Sequence, residues 1–240
     1  MLPWRQLGAA TLAGESRPLV LYQRDTEFVI RVGPHALMSS AAHGSEEALA
    51  ELACGRIAGR PAARVLVGGL GMGFTLAAAL RHLGPDARVE VAELVPAVVE
   101  WNRGPLAHLA GRPLEDARVS VRVGDVADFI HGARGTFDAI LLDVDNGPDG
   151  LTVATNDRLY SAAGLAAARS ALRAGGLLGV WSVQPDRAFT GRLARAGFET
   201  EEQVVRARPG KGGRHTLWLA TRPGPLSGRA ARPPRGRSPR

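Results

Sequence analysis

The chain has 240 residues, of which 45% are hydrophobic and 22% charged, with one cysteine and a formal net charge of +7. This length allows one substantial core with a small appendage but not two full domains, and the lone Cys54 excludes an internal disulfide. No segment approaches the roughly 18 apolar residues of a membrane span, and the first residues lack the pattern of a secretory signal. We therefore expect a cytoplasmic protein without a membrane partner.

The first part of the chain shows short alternating segments that are typical of strands. Residues 19–22 and 27–32, separated by Arg24 and Asp25, predict a β-hairpin. We assign residues 1–43 to a small N-terminal β element. A plain extension packed on the edge of a larger sheet is the alternative that the pattern leaves open.

A helix is predicted to follow this element. Ser45, with Glu46 and Glu47 behind it, is a typical N-cap, and apolar residues at helical spacing continue to Ile57. We expect this helix to lie beside a ligand cleft.

From Arg64 onwards, strand and helix patterns alternate, which predicts an α/β fold with a doubly wound, mostly parallel sheet of seven strands. We assign residues 44–221 to this unit. The last two strands are expected to form a hairpin. Strands are predicted at 64–68, 88–92, 119–123, 177–181, 198–206 and 215–221, with a further strand ending at Asp143. Helices are predicted at 73–83, from Pro96, at 126–131, 158–173 and 186–196.

A glycine-rich turn follows the first of these strands and contains Gly68, Gly69, Gly71 and Gly73. Glycines allow backbone N–H groups to approach a ligand where a Cβ atom would collide. The spacing differs from the G-x-G-x-x-G of dinucleotide sites, and the chain has no P-loop motif. With a carboxylate about 20 residues later, the turn predicts a nucleoside-containing ligand.

Three carboxylates stand at the ends of successive strands, namely Glu93, Asp125 and Asp143. Glu93 could accept both hydroxyls of a ribose, and Asp125 could accept a hydrogen bond from an adenine amino group. Three acids suit a cationic adenosine ligand better than a pyrophosphate. Each also has a plainer explanation, because strand-end acids often cap helices; Asp125 could cap the helix at 126–131.

The order of these pieces resembles the class I S-adenosylmethionine-dependent transferases and, within them, the spermidine synthase-like (polyamine aminopropyltransferase) family. The resemblance implies a Rossmann-like transferase fold and a role in polyamine biosynthesis. The segments that carry it are the glycine turn at 68–73, then 92–100, 124–130, 140–148 and 156–161.

The resemblance also implies roles for individual residues. The glycine turn, Glu93 and Asp125 would hold S-adenosylmethionine or its decarboxylated form, with Glu93 on the ribose and Asp125 on the adenine. Asp143 would orient or deprotonate an attacking small-molecule amine. Asp145 would assist it or form an Asx turn. We expect no metal. The N-terminal β element could mediate a homodimer.

Some residues depart from the family pattern. Gly71 stands where the family has a loop aspartate that helps to bind the amine of the decarboxylated donor, and Glu47 is the one match to the family motif in the first helix. Two alternatives therefore stay open: a methyltransferase acting on a small molecule with the intact donor, and a catalytically silent relative that binds the nucleoside.

The remaining residues receive no chemical role. Residues 222–240 contain six arginines and no acid, and their proline- and glycine-rich composition predicts a disordered tail. Since the rest of the chain is nearly neutral, we do not expect a nucleic-acid partner. Trp181 lies in a core-like pattern, and His215 shows no metal-ligand spacing.

Overall fold

The computed structural model describes residues 2–11, 17–144, 156–208 and 211–224. Within these residues the chain forms a small antiparallel sheet, followed by a larger sheet with helices on both faces. No helix in these ranges is long and apolar enough to span a membrane.

The N-terminal sheet is formed by four strands in the order β1-β2-β3-β4. The predicted hairpin is confirmed, since β2 and β3 pair antiparallel around a turn in which Asp25 has a φ of 54°. Leu21 and Ile30 are fully buried and anchor this sheet in the core. The strands are β1 Arg5–Ala10, β2 Leu19–Arg24, β3 Glu27–Val32 and β4 His35–Ser39.

The large sheet has seven strands in the order β10-β11-β9-β8-β5-β6-β7. The predicted doubly wound architecture is confirmed. One strand, β11, runs antiparallel to its neighbours β9 and β10, and the other pairings are parallel. The strands are β5 Arg64–Gly68, β6 Arg88–Glu93, β7 Val119–Val123, β8 Phe137–Leu142, β9 Leu172–Ser182, β10 Glu199–Arg208 and β11 Lys211–Thr221.

Helices cover both faces of this sheet because its central strands are apolar on both sides. Alternate residues of β5 belong to two separate hydrophobic clusters, with Val65 and Val67 in one and Leu66 in the other. Helices α1 to α3 pack on the first face, and α4, α6 and α7 on the second. The helices are α1 Gly44–Gly55, α2 Phe74–His82, α3 Pro96–Arg103, α4 Val126–His131, α5 Asn156–Tyr160, α6 Ala162–Ala171 and α7 Arg187–Arg195.

Two predicted helices differ from the structure. Ser45 does not cap α1; the N-cap residue is His43, and the Ser45 hydroxyl is engaged by side chains instead. The helix predicted at 158–173 is two helices, because the Ser161 hydroxyl accepts a hydrogen bond from Gly164 N and starts α6 afresh. The following strand begins earlier than predicted, at Leu172.

The start of the predicted tail is held in the fold. Arg222 N donates to Gly176 O, and the Arg222 guanidinium donates to the Arg169 carbonyl at the end of α6. Residues 225–240 lie outside the described ranges, so the division of the chain at 43 and 221 stays a prediction.

Candidate functional site

The glycine turn forms the floor of the site, between β5 and α2. Gly69, Gly71 and Gly73 have φ values of 84°, 53° and 84°, in the left-handed region that other residues rarely adopt. A Cβ atom on Gly69 would overlap the Asp143 carbonyl oxygen. The turn therefore lies directly against the end of β8.

Glu93 is buried beside this turn at the end of β6. Its Oε2 accepts a hydrogen bond of 2.8 Å from Leu70 N, and its Oε1 accepts one of 2.8 Å from Val95 N. Burial raises the pKa of Glu93, and these backbone N–H groups oppose that rise. Because each carboxylate oxygen can accept a second hydrogen bond, the fixed side chain keeps acceptor capacity for a ligand.

Asp125 follows β7 and caps α4. Its Oδ1 accepts a hydrogen bond of 2.8 Å from Ala127 N, and its Oδ2 lies 3.9 Å from Arg158 Nη1. The capping interaction that the sequence allowed is thus present. A role for Asp125 towards an adenine stays a prediction.

Asp143 lines a cleft of about 50 Å³ that is partly open to solvent. The cleft lies between β4, α1, the glycine turn and the end of β9. Its described lining contains two carboxylates and no arginine, lysine or histidine side chain. The lining residues are Leu37, Met38, Ser39, Glu46, Leu70, Gly71, Met72, Phe74, Thr75, Asp143 and Trp181.

The two carboxylates in the cleft belong to Glu46 and Asp143. Burial raises the pKa of Asp143 to about 6, against a hydrogen bond of 2.5 Å that Thr75 Oγ1 donates to its Oδ2. Burial, and next the negative charge of Asp143, raise the pKa of Glu46 to about 7. Two like charges share a poorly solvated site, so a bound cation would stabilise both.

Glu46 is also joined to a chain of polar side chains that leads out of the cleft. Ser45 Oγ donates to Glu46 Oε2 at 2.6 Å and lies 2.7 Å from His215 Nδ1. The His215 ring packs edge-on against Trp181, with the ring centroids 4.7 Å apart.

The structure brings some of the predicted site residues together and leaves others apart. Gly71 and Asp143 line one cleft, and Glu93 reaches its rim through Leu70. Asp125 caps a helix at the neighbouring strand end and is not part of this lining. Asp145 lies outside the described residues.

Sequence reasoning missed Glu46, Thr75 and Trp181 as members of the site. For Glu46 the helical period held the necessary information, because residues three, four and seven positions later (Leu49, Ala50 and Ala53) are all fully buried. Glu47, which matched the family motif, instead faces Arg81 at 3.5 Å. Thr75 and Trp181 carried no such pattern.

No group of three or more potential metal ligands is found in the described ranges. A site without metal stays an expectation.

Comparison with known proteins gives a family. The model of the spermine/spermidine synthase domain matches residues 43–186. A polyamine aminopropyltransferase of Korarchaeum cryptofilum is 31% identical over 139 residues, 57% of this chain and 41% of that protein. A polyamine aminopropyltransferase of Mycobacterium tuberculosis (strain H37Rv) is 36% identical over 124 residues, 50% of this chain and 23% of that protein. The chain thus spans less than half the length of these curated relatives.

Among solved structures, the spermidine synthase of Thermotoga maritima superimposes with a TM-score of 0.70 at 17% identity. The alignment covers 91% of this chain and 73% of that protein. This likeness supports the fold described above, including the small N-terminal sheet.

Proposed function

Because the chain belongs to the spermine/spermidine synthase family, we propose that it is a transferase that moves an aminopropyl group from decarboxylated S-adenosylmethionine to a small-molecule amine. The observation that carries this proposal is the charge of the cleft. Glu46 and Asp143 are its charged lining residues within the described chain, and both are acids.

The charge pattern distinguishes the two forms of the donor. The decarboxylated donor carries a sulfonium and an ammonium and no carboxylate, so both of its charges are attracted by Glu46 and Asp143. The intact donor adds a carboxylate, which would face two acids without a basic partner in the described lining. Residues 145–155 contain no lysine, arginine or histidine that could supply one. The arrangement therefore favours aminopropyl transfer over methyl transfer.

Glu46 also compensates for the difference from the family pattern at Gly71, where the family has an aspartate. A family member uses a loop aspartate at that position to bind the amine of the donor, and Gly71 cannot do so. Glu46 lies on α1 and lines the same cleft, although it matches no residue of the family motif in that helix. We assign to Glu46 the electrostatic part of the missing aspartate's role.

The nucleoside would lie along the carboxyl ends of β5 to β7, where ligands of doubly wound sheets bind. In this arrangement the glycine turn approaches the donor, Glu93 accepts hydrogen bonds from the ribose hydroxyls, and Asp125 accepts one from the adenine amino group. The fixed carboxylate of Glu93 supports its role, since the Leu70 and Val95 N–H groups already orient it.

The reaction requires that the acceptor amine be positioned beside the donor carbon and that one group accept a proton. The lone pair of the acceptor amine attacks the carbon next to the sulfonium, the C–N bond forms, and the C–S electrons pass to sulfur to give a neutral thioether. An aliphatic amine is protonated near neutral pH, so it must first lose a proton. Asp143, with Asp145 following it in the chain, would hold the amine, and the Asp143–Glu46 pair would accept the proton.

Calorimetry and a turnover assay test this function together. We expect the decarboxylated donor to bind at least tenfold more tightly than the intact one, and methylthioadenosine to appear when putrescine or another amine from a panel is added. Asp143→Asn should reduce kcat about 100-fold or more. The matched control, Asp116→Asn, removes a carboxylate paired with Arg118 away from the cleft and should keep full turnover. Tighter binding of the intact donor would overturn the proposal in favour of methyl transfer, and binding of both without turnover would indicate a silent relative.

We further propose that the protein acts in the cytoplasm as a homodimer joined through the N-terminal sheet, without a nucleic-acid partner. Sedimentation equilibrium tests the dimer: a mass near twice that of the 25.3 kDa chain supports it, and a monomer contradicts it.

A further inference from the structure

The Ser45 hydroxyl links Glu46 to His215 by hydrogen bonds, and neither Ser45 nor His215 has a role in the reaction proposed above. The residue is fully buried, and its hydroxyl lies 2.6 Å from Glu46 Oε2 and 2.7 Å from His215 Nδ1. A hydroxyl donates one hydrogen bond and accepts others. The link can therefore exist in two forms: the Ser45 hydroxyl donates to a Glu46 carboxylate and accepts from His215 Nδ1–H, or it accepts from protonated Glu46 and donates to His215 Nδ1.

The two forms differ by the transfer of a proton along the chain. Moving from the second form to the first removes a proton from Glu46 and leaves one on His215 Nδ1, with the serine hydroxyl handing one proton on as it receives another. No other group has to move, because both contacts are already at hydrogen-bond distance.

The proposed reaction must export one proton in each turnover. A donor with two positive charges and a diamine with two give a neutral thioether, a triamine with three positive charges, and one proton. That proton is taken up inside a cleft that holds the cationic substrates, so it needs a route to solvent that does not pass the substrates.

We propose that Ser45 and His215 form this route, carrying the proton of the acceptor amine from Glu46 to solvent beside the exposed first part of β11. The inference rests on the proposed transferase function. It adds two residues that touch no substrate and that act through Glu46.

The position of His215 fits the exit end of such a route. The residue is half-buried on β11, and its Nε2 lies beside Gly213, in the exposed first part of that strand; a Cβ atom built on Gly213 would be 3.4 Å from it. Burial lowers the pKa of His215 below its ordinary value and raises that of Glu46 to about 7, so His215 holds a proton less tightly than Glu46 does. A proton that reaches His215 is then readily released.

Within the part of the chain that the structure describes, the groups that contact the His215 ring carry no positive charge. Trp181 covers one side of its ring from β9, and Ser45 approaches from α1. On β10, Val205 is paired with His215, and the next pair in the ladder joins Arg206 to Arg214. Because successive residues of a strand point to opposite faces of the sheet, the Arg206–Arg214 pair lies on the other face, and burial is what lowers the pKa of His215.

Two variants separate proton transfer from a purely structural contact. Ser45→Ala breaks the link but leaves both ends in place. His215→Asn keeps a hydrogen-bond donor near the Nδ1 position but has no group that can take up and release a proton. We expect each variant to lower kcat at least tenfold at pH 7 while the KM for the donor changes less than threefold. Ser120→Ala and His82→Asn, at positions remote from the cleft, are the controls.

Chemical rescue provides a readout that a structural role would not move. Imidazole in the buffer should restore at least a third of the lost kcat of His215→Asn, and the solvent deuterium effect on kcat should be larger in both variants than in the wild-type protein. If the wild-type protein forms methylthioadenosine and both variants match it in kcat and solvent isotope effect, the proton route is overturned while the transferase function stands.

Magnetic resonance tests the link without turnover. In the ligand-free protein, the ring nitrogens of His215 should shift in two steps with pH, one of them lost in Glu46→Gln and in Ser45→Ala. A single titration of His215, unchanged in both variants, would overturn the route. Absence of methylthioadenosine with every amine, together with a linked titration, would instead refute the transferase function alone.

Discussion

Thr75 Oγ1 donates a hydrogen bond of 2.5 Å to Asp143 Oδ2, which joins the first turn of α2 to the end of β8. Thr75 is almost fully buried, so its hydroxyl meets little competition from water. The bond favours the charged form of Asp143 and opposes the effect of burial on its pKa. Thr75 thereby keeps a deeply placed carboxylate able to act as a base near neutral pH.

Replacing Thr75 should shift the acid limb of the activity profile. In Thr75→Val the hydrogen bond is lost, the pKa of Asp143 rises further, and the carboxylate is protonated at higher pH. A hydrogen bond to a charged group contributes about 1.5 kcal/mol, so the acid limb of kcat/KM should move up by about one pH unit. The control Thr136→Val removes a hydroxyl that donates to the nearby Arg134 carbonyl, away from the cleft, and should leave the profile in place. An unmoved acid limb in Thr75→Val would separate Asp143 from the proton step.

The raised pKa values of Glu46 and Asp143 also make stability depend on pH. Both groups ionise more readily in the unfolded chain, so their favourable contribution to folding is present below about pH 4 and is lost as the pH rises through about 6 to 7. Glu46→Gln removes one of the two like charges. We expect the variant to raise the free energy of unfolding at pH 8 by about 2 kcal/mol, after solvent screening of a half-buried group is allowed for.

Denaturant unfolding of the ligand-free protein at pH 5 and pH 8 measures this effect. The gain in Glu46→Gln should be confined to the higher pH. Glu51→Gln, an exposed position on the same helix, should change stability little at either pH. Equal stability of Glu46→Gln and the wild-type protein at pH 8 would mean that the two carboxylates do not oppose each other.

The sequence predicted the large sheet well because its strands are short apolar runs between glycines, acids and helix starts. The parallel strands β5, β6 and β7 fall within a residue of their expected bounds, since burial on both faces leaves a continuous apolar pattern. The helix before β9 was less well predicted. A helix over 158–173 places Ser161 in its interior, whereas in the structure the Ser161 hydroxyl caps α6 and divides the segment.

The site was harder to predict because its members come from elements that meet only in the folded chain. Glu93 and Asp143 could be predicted because each follows an apolar strand, and ligands of doubly wound sheets bind at the carboxyl ends of the strands. The link from Ser45 to His215 joins residues 170 positions apart, through a helix and an antiparallel strand. Short-range periodicity carries no information on such a pair.

The ribose role of Glu93 can be tested with a matched pair of ligands. Methylthioadenosine should bind the wild-type protein at least tenfold more tightly than its 2′-deoxy analogue, since one lost hydrogen bond to a carboxylate corresponds to about 1.5 kcal/mol or more. In Glu93→Gln the amide nitrogen would face the Leu70 or Val95 N–H group, so the acceptor is displaced and the two ligands should bind equally. Glu90→Gln, on the same strand and paired with Arg64, is the control for calorimetry. A preference for the ribose ligand that survives in Glu93→Gln would remove this residue from ribose binding.

Two glycines have similar φ values, so their alanine variants distinguish the cost of backbone strain from the cost of a close contact. Gly69 has a φ of 84° and Gly111 a φ of 74°, but a Cβ atom would meet the Asp143 carbonyl at Gly69 and no atom of the described residues within 4 Å at Gly111. Both alanine variants should lose about 1 kcal/mol of stability to the left-handed conformation. Gly69→Ala should lose at least 1 kcal/mol more and bind the donor at least tenfold more weakly, because the turn must move away from β8. Gly111→Ala should bind the donor normally. Denaturant unfolding and calorimetry on the two variants give the comparison, and equal losses at both positions would show that the contact between the turn and Asp143 does not constrain the site.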